Sequence, residues 1–450
     1  MLVKGRTCLQ KEIIQETRHY IFRNIFAYLG ISLYILIDTL FVSITAGELG
    51  LSTLNIVLPV FNFFNAIGLM LGVGGSTLFS LNKVRHPEKV RNLFSQLITF
   101  AAGTGIIFII LFYLFTTPIL HLLGANEQTL PLAYPYFRIL AWSAPFIMCK
   151  YITVNFIRND GNPSLTMAAA LTETLSMIVL DYVLIFIFDL GMNGAAIAAA
   201  IAPTLNLVVA SFHRRFAQRT LTLHLAMPDW RWLLKAARLG TASFFNELSS
   251  GVSIFVFNWV LLGLGGNPAI AAYGVIANIA LVVIAMSNGV ALGVQPIASR
   301  EFGKHNYAGV ITSLKLGFKV TLGIATGTFI CLTLFRQPVV AVFNTAHSQA
   351  LSVYATSGLP IYFICAFFVA LNVLMMMFMI AVNRPRQAFF LSIMRGYIIL
   401  IPAIVICGHL FGINGVWASV PITEALVTVI GTYFVTTCIK GWKNYKKEGI

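Results

Sequence analysis

Charge is what this chain has least of. Charged residues make up 10% of its 450 positions, and only 15 are acidic. A soluble domain carries about a quarter, so a protein living mainly in water is excluded. Site-forming patterns are missing too. The six cysteines (8, 149, 331, 365, 407 and 438) are scattered, with no C-x-x-C and no cysteine–histidine cluster. That removes a zinc site and a redox pair. No G-x-x-x-x-G-K-[ST] run is present to cradle a nucleotide phosphate, and no H-E-x-x-H or G-x-S-x-G offers a hydrolytic centre. The eight histidines fall mostly at the ends of apolar runs and in loops. Neither ATP-driven work nor an enzyme is expected, and no cofactor is required.

What fills the sequence is apolar. Hydrophobic residues reach 58%, mean hydropathy is +0.84, and there are 36 Phe and 35 Gly. A hydrocarbon core of about 30 Å takes about 20 residues of helix. Twelve runs of that kind are readable, numbered here as spans 1 to 12: 24–46, 53–80, 93–116, 132–156, 165–188, 193–213, 240–264, 271–298, 314–335, 353–381, 388–410 and 413–438. The N-terminus is polar as far as Arg23, and the first run is too long for a secretory leader, so it reads as a retained span. The expectation is an all-α, multi-pass membrane protein.

The formal charge of +15 suits a nucleic-acid binder in the abstract, but its placement argues otherwise. Lys and Arg gather in the N-terminal arm, after span 2 (Lys83, Arg85, Lys89, Arg91), from Arg214 to Arg238, around Arg300 and Lys304, at Arg384 and Arg386, and at the C-terminus. These are the termini and the junctions after even-numbered spans. Such bias sets topology. It puts both termini in the cytoplasm, and no nucleic-acid partner is expected; the expected location is the cell's inner, plasma membrane.

The two halves repeat. "GLMLGVGG" (68–75) answers "GVALGVQP" (289–296), and "GMNGAAIAAAI" (191–201) answers "GINGVWASVPI" (412–422), both at an offset of 221. "NDGNP" (159–163) answers "VNRPR" (382–386). The plan is six spans plus six in parallel topology: a lobe at 1–213, a cytoplasmic linker at 214–238 and a lobe at 239–450. Repeats of this kind place a transport path near mid-membrane. Gly68 and Gly72, like Gly289 and Gly293, stand four apart and read as close helix packing.

Acids at membrane depth are few. Asp38 is the only charge between Asn24 and Gly47, where a charge costs about 2.5–3.5 kcal/mol on insertion scales. Asp181 lies in span 5, Glu247 near the start of span 7 and Glu424 in span 12, with Glu173 nearer an interface. Asp160 and Asp189 read as turn or solvated residues. An acid at such depth faces protein or a watery cavity, and can carry a proton or meet a cation. For Asp38 the competing reading is a fixed pair with Arg138 or Arg395. For Glu247 it is an interfacial charge or a pair with Arg395.

In order along the chain, "IDTLFV", "GLMLGVGGSTLFS", "NFIRNDGNP", "VLDYVLIF", "GMNGAAIAA", "GVALGVQPIASREFGKHN" and "SIMRGYIILIP" resemble the multidrug and toxic compound extrusion (MATE) transporters, and among them the MepA-like bacterial drug-efflux group. The resemblance covers nearly the whole chain. It implies twelve transmembrane helices in two pseudo-symmetric six-helix bundles around a V-shaped cavity. The implied activity is secondary-active efflux of cationic amphipathic compounds in exchange for H⁺ or Na⁺. It assigns a coupling-ion site to Asp38, Asn155 and Asp181, which could also hold Na⁺; no other metal is implied. Met177 and Ala199 stand where many members carry Asn and Thr, two oxygen ligands fewer, which favours H⁺. Glu247 matches a span-7 acid of some members, while span 10 lacks the acid that often accompanies it.

Span 10 instead offers Met375, Met376 and Phe368, a pliable lining for varied ligands or ordinary packing. Pro145, Pro402 and Pro421 mark bends that either move or stay fixed. A monomer is expected. The alternative function is a lipid-linked oligosaccharide flippase of the same superfamily, which calls for a more cationic cavity than these spans supply.

Overall fold

The computed structural model describes residues 2–82, 92–216, 219–224, 226–345 and 347–445. The cation cluster expected at 83–91, with Lys446 and Lys447, lies outside the described residues. Among the described residues there are helices and no strands. Hydrocarbon offers the backbone no hydrogen-bond partner, and a helix satisfies its own.

Successive spans are joined with almost no loop. Spans 1 and 2 share the helix Leu2–Asn82, in which Gly47 alone leaves helical geometry (φ 57, ψ −140). Spans 7 and 8 share Trp230–Gly303, broken at Gly266 (φ 66, ψ −156). The later part of span 11 joins span 12 in Leu400–Tyr445, broken at Gly412 (φ 60, ψ −146). Side chains with a Cβ rarely enter this region, so glycine makes the corner. Gly191, the repeat counterpart of Gly412, has φ 52 and turns span 5 into span 6. The repeated "GMNG" and "GING" thus encode a backbone requirement.

Spans 4 and 10 are each bent by 46°, between Leu130–Ala141 and Ala144–Asn159 and between Gln349–Phe363 and Cys365–Ala381. Pro145 sits in the first turn of the second piece of span 4, where a missing N–H costs nothing. Among the described residues, with each bent pair taken as one, nine stretches are long and apolar enough to cross a membrane. Three of them are divided by the glycines above, which accounts for the twelve spans expected. Spans 5 and 11 each carry a π-helical stretch, Val183–Ile187 and Met394–Ile398. Such bulges widen a helix locally and recur at functional positions.

By packing, the chain forms two compact units: 37–262, and 1–36 with 263–450. The repeat-based lobes 1–213 and 239–450 divide the chain at different points. Within the first unit a Cβ on Gly72 would lie 2.6 Å from the Tyr151 carbonyl oxygen. Within the second, one on Gly293 would lie 2.6 Å from Ile21 Cα. The spaced glycines are therefore packing points, as the sequence suggested.

Asp160 corrects its expected role. It is buried rather than solvated. It accepts from His213 Nε2 at 3.0 Å, from the backbone N–H groups of Thr220 at 2.8 Å and Leu221 at 3.3 Å, and from the Thr220 hydroxyl. The start of the expected linker is pinned to the turn after span 4.

Candidate functional site

The first packing unit brings two acids together inside apolar helices. Asp38 lies on span 1, ahead of the Gly47 corner. Asp181 lies in the last turn of Pro163–Tyr182, where the π-helical stretch of span 5 begins. Their carboxyl groups are in hydrogen-bond contact with one another. An ionised carboxylate has no donor, so that bond requires a proton held between the two. Asp181 is 1% exposed, and its Oδ1 has no hydrogen-bond partner among the described residues.

Span 6 crowds the same place. A Cβ on Gly194 would meet the Leu184 carbonyl carbon at 2.8 Å, so the glycine lets span 6 close against the π-helical stretch. The surroundings are apolar, with Val42, Val57, Ile185 and Met192 in one buried cluster. Tyr136 of span 4 belongs to that cluster and is near enough to feel both carboxyl charges.

Neither acid enters an ion pair among the described residues. The competing arginines are engaged elsewhere. Arg138 lies over the Tyr113 ring at 4.0 Å, and the Arg395 Nε donates to Glu424. A fixed carboxylate–guanidinium pair at position 38 is thereby set aside. Asn155, expected as a third member, donates to the Tyr151 carbonyl at 2.8 Å. No hydrogen bond joins it to either acid among the described residues.

A second polar cluster lies in the same unit, and the sequence reading missed it. Lys150 is buried, bonds Glu173 Oε1 at 2.7 Å and lies 4.5 Å from the Tyr151 ring centroid. Asn206 donates to the other Glu173 oxygen at 2.8 Å. Glu173 is thus paired with a buried lysine and is not a free interfacial acid. Glu247 accepts from Asn65 Nδ2 at 3.3 Å and lies within electrostatic reach of Lys150. It is half-buried and has no arginine partner among the described residues.

The other unit holds a counterpart. Glu424, 4% exposed, is bound by Arg395 and by Asn372 Nδ2 at 2.7 Å, and Thr428 donates to Asn372 Oδ1 at 3.1 Å. The signal was in the numbering: Lys150, Glu173 and Asn206 recur 222 positions later as Asn372, Arg395 and Thr428. Of the span-10 candidates, Met375 is fully buried, against Gly431 and Thr432. Met376 and Phe368 are half-buried. Among the described residues no three His, Cys, Asp or Glu side chains gather as a metal site.

Known proteins bear on this arrangement. The sequence model of the MatE family matches residues 24–183 and 242–406, one block in each half. The multidrug export protein MepA of Staphylococcus saprophyticus subsp. saprophyticus is 26% identical over 419 residues, covering 90% of this chain and 89% of that protein. MepA of Staphylococcus aureus strain N315 is 28% identical over 411 residues, with the same coverage. Among solved structures, the inward-facing conformation of a multidrug resistance MATE family transporter of the MOP superfamily aligns with a TM-score of 0.83 at 21% identity. That alignment covers 92% of this chain and 95% of that one, and shows the fold. The matched blocks take in most of the sequence, including both acids of the carboxyl pair, and the chain belongs to the MatE family.

Proposed function

We propose that this chain is a secondary-active multidrug exporter that releases cationic amphipathic compounds in exchange for H⁺. The observation that carries this reading is the Asp38–Asp181 carboxyl pair, set among apolar helices with Asp181 buried and Asp38 half-buried, and with no basic partner among the described residues. With one proton the pair carries a single negative charge; with two it is neutral. An organic cation and a second proton therefore compete for one charge. Exchange follows if each ligand favours a different conformation. In this reading the lobes 1–213 and 239–450 alternate around the path, and the protein works as a monomer in the plasma membrane with cytoplasmic termini.

Glu247, half-buried with a single amide bond and facing Lys150, is the first substrate contact in this scheme. Met376 and Phe368 provide an adaptable apolar surface, with Met375 as packing behind them. Na⁺ is the second driver to consider. It needs several hard oxygens in place of its hydration shell, by the logic of other hard cations. Asn155 is turned to its own backbone, which leaves the carboxyl pair short of ligands and favours the proton. A lipid-linked oligosaccharide as cargo is disfavoured, because Lys150 and Arg395 are each neutralised by a carboxylate.

The test is ethidium efflux from proteoliposomes under an imposed pH gradient, then under a sodium gradient. The reading expects efflux with the first and little with the second. Asp38→Asn should abolish the pH-driven flux while the protein still inserts and elutes normally. Undiminished flux in that variant would remove the pair from the mechanism.

A further inference from the structure

Away from the carboxyl pair, a groove of about 960 Å³ runs along the first packing unit between spans 3, 4 and 6. One wall is a single face of span 3, carrying Phe94, Ile98, Ala102, Ile106 and Ile109 at steps of three or four residues. The opposite wall is span 4 from Trp142 to Ile157, and linker residues 221–223 line the groove at one end. By helical rise the span-3 wall is about 22 Å long. The groove is open along its side, where Ile106, Trp142 and Phe146 are 54%, 56% and 40% exposed.

The linker end is basic. Arg214, at the end of span 6, and Arg219 both line it, and the Arg219 guanidinium donates to the Arg214 carbonyl. Neither arginine has a carboxylate partner among the described residues. No Asp or Glu lines the groove. Two bare guanidinium groups and no acid are the wrong chemistry for a cationic drug. They match a ligand with a long apolar tail and an anionic phosphate head, since the guanidinium fork bonds phosphate bidentately. The basic end also lies where the linker cations concentrate, the side on which basic pockets between spans hold acidic lipid head groups.

We propose that this groove is a binding site for an anionic phospholipid, with one acyl chain along the span 3–span 4 channel and its phosphate on Arg214 and Arg219. The linker segment that Asp160 pins forms part of the wall, so the bound lipid braces the linker against spans 3 and 4.

The full-length protein is purified in a mild detergent, and its retained lipid is counted by native mass spectrometry. Phosphatidylglycerol and phosphatidylcholine of identical chains are titrated separately. Each arginine near the membrane contributes roughly fivefold in affinity for an anionic surface. Wild type should therefore retain one phosphatidylglycerol at concentrations where phosphatidylcholine is lost. Arg214→Gln with Arg219→Gln, both at exposed positions, should bring the two lipids to equal retention. Ala102→Trp, which fills the channel and keeps the arginines, should lower retention of both. Equal retention of the two lipids by wild type, or an unchanged preference in the double arginine variant, overturns the proposal.

Discussion

A carboxyl–carboxyl hydrogen bond needs a proton, and an amide can supply a donor in its place. Asp181→Asn is therefore expected to keep the contact with Asp38 and the thermal stability of the protein, yet to lose ethidium efflux driven by a pH gradient. Melting in detergent and flux in proteoliposomes separate the two effects. Lys150 offers the opposite case. Removing one partner of a buried ion pair costs about 3–5 kcal/mol, while replacing both costs far less. Lys150→Met should lower the melting temperature clearly, and Lys150→Met with Glu173→Gln should restore most of it. If the single variant melts like wild type, the pair is not holding spans 4 and 5. Asp38 was legible in the sequence because it is alone in its span. Lys150 and Glu173 were not: each lies in a separate run and reads as an end charge until the two helices are packed.

Corners and arms act at the scale of whole elements. Gly412 has φ 60 with open space around its Cβ position. Gly412→Ala thus adds backbone strain without a clash, on the order of 1–3 kcal/mol. Melting should fall by a corresponding step, and Ala at Gly441, in a helical stretch with equally open space, should not lower it. The N-terminal arm carries a pH-dependent contact. Arg300 donates from Nη1 and Nη2 to the two Glu16 oxygens, each at 2.7 Å. That hydrogen bond, with the arginine charge, holds the Glu16 carboxyl below its usual range. A group lowered in the folded state stabilises above its unfolded pKa, and the contribution is lost as pH falls through the folded value. The Glu16 side chain is 35% exposed, so solvent screens the effect and it is modest. Hydrogen exchange around residues 10–22 should speed up in acid beyond the intrinsic rate change, and Glu16→Gln should remove that dependence. The helical spans were legible as apolar runs, whereas the single-glycine corners between them carry no hydropathy signal and emerge only from the backbone geometry.

Across the whole molecule the repeat carries positions more faithfully than residue types. Both halves build a polar cluster from spans 4, 5 and 6 or from 10, 11 and 12. The cation sits on span 4 in one half and on span 11 in the other. The two clusters share no residue and lie in different packing units. Losses from Lys150→Met and Arg395→Met should therefore add, as independent sites do within one cooperative transition; a shortfall in the double variant's melting shift would mean that the two sites are coupled or that the halves melt separately. Composition and periodicity by themselves determined an all-helical membrane protein of twelve spans, its internal duplication and its exposure to a charge at position 38. Hydropathy and helical length are local properties, so a linear chain displays them. Only the tertiary structure decided which charges meet: Asp38 with Asp181 and not an arginine, Lys150 with Glu173, Arg395 with Glu424, Asp160 with the linker. A side chain's partner depends on helix rotation and on bends such as those in spans 4 and 10, which packing across the fold sets and sequence spacing does not.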